Sequence, residues 1–303
     1  MSIARRSLRV AVLLAPILAG GAFAEATASA KVEGPGPLTP PPSGPIPVAF
    51  LLSEGATMID FAGPWEVFQD VMVAGRGDSL SAFHLYTVAE SETPIRASGG
   101  MRIVPDYTFT NAPVPKIVVV PAQAGASEAS RQWLKQSAAT ADVVMSVCAG
   151  SYVLAEAGLL DGVTATTHHA FYDDFARDFP KLTVLRGKRF VEHPRVATAG
   201  GLTSGVDLAL RVVERYFGRP TADRTAYFME YLGDGWRDAS GAANARYAKA
   251  DLPPGMIKCP VCRMEVPESQ FTAEHDGRTY HFCSTACRDA FRRDPAKYVP
   301  GSR

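Results

Sequence analysis

The chain carries no excess charge of either sign, since 31 Lys and Arg residues balance 31 Asp and Glu residues. Nothing in that balance calls for nucleic acid, and no acidic or basic tail points to a charged partner. No helix-turn-helix segment is evident, which argues further against a DNA-binding role. Beyond the N-terminal region no run is long and apolar enough to span a bilayer, so no stable membrane span is expected. Methionines are not clustered, Met58, Met72 and Met101 standing well apart, so a methionine copper site has no support. Cysteine is scarce as well, with 5 in 303 residues, and scarcity makes the placing of each one informative.

Those cysteines divide into two chemistries. Cys148 stands alone at the end of the apolar run Val143-Val144-Met145-Ser146-Val147, followed by the small residues Ala149-Gly150-Ser151 and a helical pattern. A strand, a sharp turn and a helix is the layout that holds a nucleophile at the edge of an α/β sheet. The others form Cys259-x-x-Cys262 and Cys283-x-x-x-Cys287, which is metal-ligand spacing. Two close pairs can set four sulfurs around Zn²⁺ or a softer ion such as Cu(I). Two disulfides are the alternative in an oxidising compartment. His281 is a candidate to replace one sulfur, and His275 reads as a loop residue.

The N-terminus has the form of an export signal. Arg5, Arg6 and Arg9 precede an apolar core at 10–18 broken by Pro16, and Ala22-Phe23-Ala24 and Ala28-Ser29-Ala30 offer cleavage sites. Residues 1–30 are therefore expected to be a signal peptide, with an uncleaved anchor as the alternative. Arg5-Arg6 before Ser7-Leu8 loosely resembles a twin-arginine signal. A periplasmic or secreted location follows. Residues 31–46, rich in proline from Pro35 to Pro45, read as a stiff linker that holds the folded part away from the N-terminus.

Further on, apolar runs and helical periods alternate. Strands are expected at 47–52, 83–89, 116–120, 142–147, 163–167 and 196–199. Helices are expected at 58–73, 127–139 capped by Ser127, 149–157 closed by Gly158, and 203–217 ended by Gly218. This alternation predicts an α/β fold, a flavodoxin-like three-layer sandwich with a mostly parallel sheet, over residues 47–235. Functional residues in such sheets lie beyond the carboxyl ends of the strands. Residues 236–255, rich in Ala, Gly, Asp and Pro, read as a second linker. Residues 256–301 are too few for a large core and read as a small Cys-rich metal-binding domain, with Tyr280, Phe282 and Phe291 as its mini-core.

Several segments together resemble the ThiJ/PfpI superfamily, which has a glutamine-amidotransferase-like fold. They are Glu54-Gly55-Ala56-Thr57-Met58-Ile59-Asp60 with Gly63-Pro64-Trp65-Glu66, Cys148-Ala149-Gly150, Gly158-Leu159-Leu160-Asp161-Gly162 with Thr166-Thr167-His168, and Thr198-Ala199-Gly200-Gly201-Leu202-Thr203-Ser204-Gly205-Val206-Asp207. The isonitrile-hydratase-like and regulator-sensor-like members are the most similar branch. Cys259-Pro260-Val261-Cys262-Arg263-Met264, Tyr280-His281-Phe282-Cys283-Ser284 and Phe291-Arg292-Arg293-Asp294-Pro295-Ala296-Lys297-Tyr298 resemble a YHS domain. The chain also departs from the pattern. Ala149 stands where the protease-like branch has histidine and isonitrile hydratases have threonine, so neither activity follows from the resemblance. The loop often written Pro-Gly-Gly is here Pro121-Ala122-Gln123-Ala124-Gly125, whose backbone can still offer an N–H to an oxyanion.

These observations set the expected roles. Cys148 is the nucleophile, favoured as thiolate by the adjoining helix N-terminus, or else a buried structural cysteine. The resemblance places Asp60 beside it. A charged Asp60 would raise the thiol's pKa, so Asp60 helps only if it is buried and keeps a proton to give; a helix cap is its plain alternative. Ala149 N–H can hold developing negative charge. His168 is either a general acid/base or a histidine bonded only to nearby backbone. Asp207 reads as structural. The expected function is an exported cysteine-dependent hydratase or hydrolase acting on a small molecule, with a zinc or other soft-metal tail (copper included) and no cofactor in the catalytic part. The resemblance makes a homodimer an expectation. A metal-handling or thiol redox-sensing periplasmic protein without turnover is the alternative, and a ligand-binding sensor a third.

Overall fold

The computed structural model describes residues 34–74, 81–241, 245–249 and 252–299; the expected signal peptide lies outside the described residues. Among them no helix is long and apolar enough to cross a membrane.

The strongest apolar runs become the middle of one sheet. β1 (Ile46–Leu51) is followed by α1 (Met58–Gln69), β2 (Phe83–Ala89), β3 (Tyr107–Thr108), β4 (Ile117–Val120) and α2 (Glu128–Thr140). Then come β5 (Val143–Val147), α3 (Gly150–Glu156), α4 (Tyr172–Asp178), β6 (Phe190–Glu192), β7 (Val196–Ala199), α5 (Ser204–Phe217) and α6 (Arg219–Phe228). The spatial order is β6-β7-β5-β4-β1-β2-β3. All neighbours are parallel except β6, which runs antiparallel to β7 at the edge. Every residue of β4 and β5 is buried, as a parallel sheet covered on both faces requires. Alternation along β1 sends Val48 and Phe50 to one face and Ala49 and Leu51 to the other. The first face packs against α1 and α5 through Phe61, Phe68, Leu208 and Val212. The second packs against α2, α3 and α4 through Leu134, Leu154 and Phe175. This is the flavodoxin-like sandwich that the sequence predicts.

The direction of winding reverses between β1 and β4, since the chain leaves β1 toward β2 and returns on its other side. The crevice above those two strand ends is where open α/β sheets bind ligands. The loop after β1 is tied to the loop after β4 there: Ala124 N–H donates to the Glu54 carbonyl at 2.9 Å and Thr57 N–H to the Ala122 carbonyl at 2.7 Å.

The expected boundaries need correction. Residues 34–45 contain no helix or strand, yet they are tied to the end of α5. Leu38 N–H donates to the Arg215 carbonyl at 2.7 Å, and Arg215 Nε donates to the Gly36 carbonyl at 3.1 Å. The segment thus gives the end of α5 one donor and one acceptor, Leu38 N–H for an orphan helix carbonyl and the Gly36 carbonyl for the Arg215 guanidinium. The second linker also begins too early in the sequence reading. Trp236 is fully buried in the α1–α5 core, flanked by the guanidinium groups of Arg219 and Arg237 at 5.0 and 4.8 Å from its ring, and Gly241 is hydrogen-bonded to Arg189. The expected strand at 163–167 is only Thr164–Ala165, paired with Thr183–Val184 outside the main sheet.

The C-terminal module is two antiparallel hairpins and a helix: β8 (Met256–Lys258) with β9 (Glu265–Pro267), β10 (Thr272–His275) with β11 (Arg278–His281), and α7 (Thr285–Arg293). Ser284 caps α7 through the Cys287 N–H. Its core is Ala273, Phe282, Phe291 and Cys259, with Tyr280 against Phe291. His275 ends β10 rather than lying in a loop.

Candidate active site and metal centre

Cys148 follows β5 directly and has φ +59. A side chain in the left-handed region is held there against its preference, and the hydrogen bonds around it show how. Its N–H donates to the Gly200 carbonyl at 2.8 Å, and its own carbonyl accepts from Thr167 Oγ1 at 3.1 Å and Ser151 Oγ at 3.2 Å. Gly150 makes the turn possible: a Cβ there would lie 2.1 Å from the Val120 carbonyl oxygen and 2.8 Å from the Pro121 backbone. Gly150→Ala is expected to cost ~3 kcal/mol or more and to lower the melting temperature by roughly 6–12 °C. An unchanged melting curve would contradict this packing.

Asp60, in the first turn of α1, is fully buried. Its Oδ2 accepts from Ala122 N–H at 3.1 Å, while Oδ1 has no partner of good hydrogen-bond geometry. Burial pushes its carboxyl up to about 7, with the Ala122 N–H and the Cys148 thiol pulling the other way. Burial likewise, and then the Asp60 charge, push the Cys148 thiol up to about 12; the backbone N–H groups of Ala149 and Leu202 oppose that rise. Burial thus moves the Asp60 carboxyl in the expected direction. It moves the Cys148 thiol away from the thiolate that the helix terminus was expected to favour. α3 has 7 residues, and at 8 % exposure the desolvation of the sulfur outweighs so short a dipole.

His168 lies near this turn, where a Cβ on Gly201 would stand 2.5 Å from its ring. Its Nδ1 accepts from Ala170 N–H at 3.2 Å, so the neutral ring carries its proton on Nε2. Burial, then the charges of His169 and Lys258, lower its pKa to about 4. The lowered pKa favours the neutral ring, with Nε2–H as its donor. Among the described residues no hydrogen bond joins its ring to Cys148. In the loop after β4, the Ala122 N–H serves Asp60 and the Ala124 N–H serves Glu54. Asp207 is structural as expected, paired with Arg189 at 2.5 Å and accepting from Tyr231 Oη at 3.0 Å.

In the C-terminal module the sulfurs of Cys259, Cys262, Cys283 and Cys287 lie within 4.8 Å of one another. Cys262 and Cys287 each stand 3.4 Å from the Cys283 sulfur, and all four are free thiols. A tetrahedral ion with Zn–S bonds of about 2.3 Å sets sulfurs roughly 3.8 Å apart, so the cluster fits a soft ion. His281 lies outside this cluster of four, and its Nδ1 is bonded to the Ser269 carbonyl at 2.9 Å.

Residues 47–215 match the DJ-1/PfpI family model. The chain belongs to the DJ-1/PfpI family. Residues 257–302 match the YHS domain model. An isonitrile hydratase of Pseudomonas putida is 33% identical over 190 residues, covering 61% of this chain and 78% of that protein. The HTH-type transcriptional regulator GbdR of Pseudomonas aeruginosa is 27% identical over 188 residues, which cover 60% of this chain and 50% of the regulator. Among solved structures, a ThiJ/PfpI family protein from Pseudomonas syringae superposes with TM-score 0.56 at 28% identity, covering 63% of this chain and 77% of that one. Drosophila melanogaster DJ-1beta shares the fold, with TM-score 0.53 at 16% identity over 62% of this chain and all of its own.

Within this DJ-1/PfpI site, sequence reasoning missed Leu202, whose N–H joins that of Ala149 at the sulfur. It also missed Thr167 and Ser151, which clamp the strained carbonyl. The Gly200-Gly201 pair was the available signal, since Leu202 follows it with φ +42 and Gly201 leaves room for His168.

Proposed function

We propose that this DJ-1/PfpI protein is a cysteine-dependent hydratase or hydrolase of a small molecule with an electrophilic carbon bonded to nitrogen or oxygen, working in the periplasm or as a secreted protein. The supporting observation is the buried pair. Asp60 keeps a proton up to about pH 7, and it faces a thiol that its own charge would otherwise hold protonated. The productive form is neutral Asp60 beside Cys148 thiolate, with the N–H groups of Ala149 and Leu202 on the sulfur. The sulfur attacks the carbon and forms a C–S bond, and the Asp60 proton goes to the atom that receives the displaced electron pair. Water then adds to the thioimidate or thioester carbon and gives its proton back to Asp60, and the C–S bond breaks to release the thiolate. His168, through Nε2–H, orients the substrate. The similarity to an isonitrile hydratase puts isonitriles first among candidates.

In the YHS domain, Cys259, Cys262, Cys283 and Cys287 would hold zinc or another soft ion such as copper(I). When bound, such an ion supplies cross-linking of the module, and no step at Cys148 runs through it.

The test is a panel of alkyl and aryl isonitriles, nitriles and small amides given to the full-length protein, with products read by mass spectrometry. Cys148→Ala should cut turnover of any accepted compound by ~1000-fold or more, and undiminished turnover sinks the reading. The sulfur cluster of Cys259, Cys262, Cys283 and Cys287 also favours a second reading, a metal-handling or thiol redox-sensing protein without turnover. Loss of metal tolerance on deleting residues 256–301, with no effect of Cys148→Ala, would support it.

A further inference from the structure

A cleft of ≈ 910 Å³ borders the Cys148 turn at Ala149. It is bounded by Gln123, Ala149, Tyr152 and Phe171 of the α/β unit and, across from them, by Val261 and Tyr298 of the C-terminal module. Val261 sits inside the Cys259-x-x-Cys262 knuckle. The module is held in this position by polar contacts that all fall on one short segment after His168. Arg263 makes a two-pronged contact with Asp174, 2.7 Å from Nε to Oδ2 and 2.7 Å from Nη2 to Oδ1. Lys258 Nζ donates to the Ala170 carbonyl at 3.0 Å, and His169 Nε2 lies 3.2 Å from Glu265 Oε1. A forked guanidinium–carboxylate contact fixes orientation as well as proximity, and here the carboxylate is 13% exposed. Arg263 is itself held by the knuckle, with φ +62 and its N–H on the Cys259 carbonyl at 2.9 Å.

We infer that the metal module is the outer wall of the substrate cleft, clasped by Arg263 and Asp174, and that this wall sets which substrates reach Cys148. The inference rests on reading Cys148 as the reactive centre. The cleft's volume suits one small molecule, and Tyr152, Phe171 and Tyr298 line it with aromatic surface. The Tyr152 hydroxyl is buried without a partner, so it has a hydrogen bond to donate. The substrate class this describes is a compact molecule with an apolar or aromatic body and one acceptor atom. Because the knuckle carries both Val261 and Arg263, an ion on the four sulfurs would stiffen the wall, and its removal would loosen it.

The experiment uses the full-length, metal-loaded protein with Arg263→Gly and Asp174→Asn made separately. Glycine accepts the positive φ, so the first variant removes the clasp without adding strain, and retained metal content confirms that the knuckle survives. One readout is amide hydrogen exchange across residues 169–178. The other is the rate of Cys148 modification by iodoacetamide against that by a bulky maleimide, resolved by peptide mass mapping. Each variant, and chelation of the wild type, should speed the exchange and raise the bulky-to-small rate ratio by roughly tenfold. Unchanged exchange in both variants overturns the docking. Faster exchange with an unchanged ratio overturns the selective role. If neither reagent labels Cys148 in any form, the reactive-cysteine reading fails instead, and exchange alone then decides whether the module covers this face.

Discussion

Asp60→Asn should make Cys148 react faster with an alkylating agent above pH 7 while turnover falls by ~100-fold or more. The opposite directions follow from the two roles of one carboxyl. As an anion Asp60 raises the thiol's pKa, so a neutral amide lets the thiolate form more readily. As an acid it holds the proton that the substrate needs, and asparagine has none to give. The same change should stabilise the fold in a pH-dependent way. Burial raises the carboxyl's pKa from 3.8 to about 7 on folding, so its contribution to stability is intact below about pH 4 and is lost as pH rises through 7. Removing the group should therefore change little near pH 4. The gain should grow between pH 4 and 7 and then level off, with an upper bound of about 4 kcal/mol. Denaturant melts at pH 4, 6 and 8 test the sign. A gain that is the same at all three pH values, or alkylation that slows, would contradict a buried, proton-holding Asp60.

What the sequence revealed and what it hid follow a physical division. The sheet was legible because β4 and β5 are buried on both faces, and continuous β-branched runs have few other uses. Cys148 was legible because a lone thiol between an apolar run and Ala149-Gly150-Ser151 has the pattern of an elbow. The four tail cysteines were legible from spacing alone. The protonation of Cys148 was not, since it depends on how completely the sulfur is desolvated and on a helix that stops after one or two turns. Trp236 read as linker because its neighbours are small and polar, yet one large ring filling the α1–α5 core decides where the unit ends. β6 was missed because Phe190–Glu192 is too short for a period to show. Nothing in the sequence pairs Lys258, Arg263 and Glu265 with Ala170, Asp174 and His169; only the fold brings them together.

Removing the metal, or one of its ligands through Cys259→Ser, should unfold the C-terminal module while leaving the α/β unit standing. The module has little else to hold it. Its buried apolar side chains are Ala273, Phe282 and Phe291, with the fully buried Cys259 beside them, which is too small a core to offset the ordering of more than forty residues. A structural zinc site supplies roughly 10–16 kcal/mol of folding free energy, so losing it exceeds any margin such a module has. The main core, with its own fully buried Phe50, Phe68 and Trp236, shares none of these residues. Limited proteolysis should therefore cut residues 256–299 after chelation and spare 46–241. A reductant separates the alternatives cleanly. A thiolate–metal module resists reductant and yields to a chelator, whereas one closed by disulfides does the reverse. If the tail stays protected after the metal is gone and the thiols are reduced, its stability comes from the clasp on Asp174, and the α/β unit, not the ion, is what folds it.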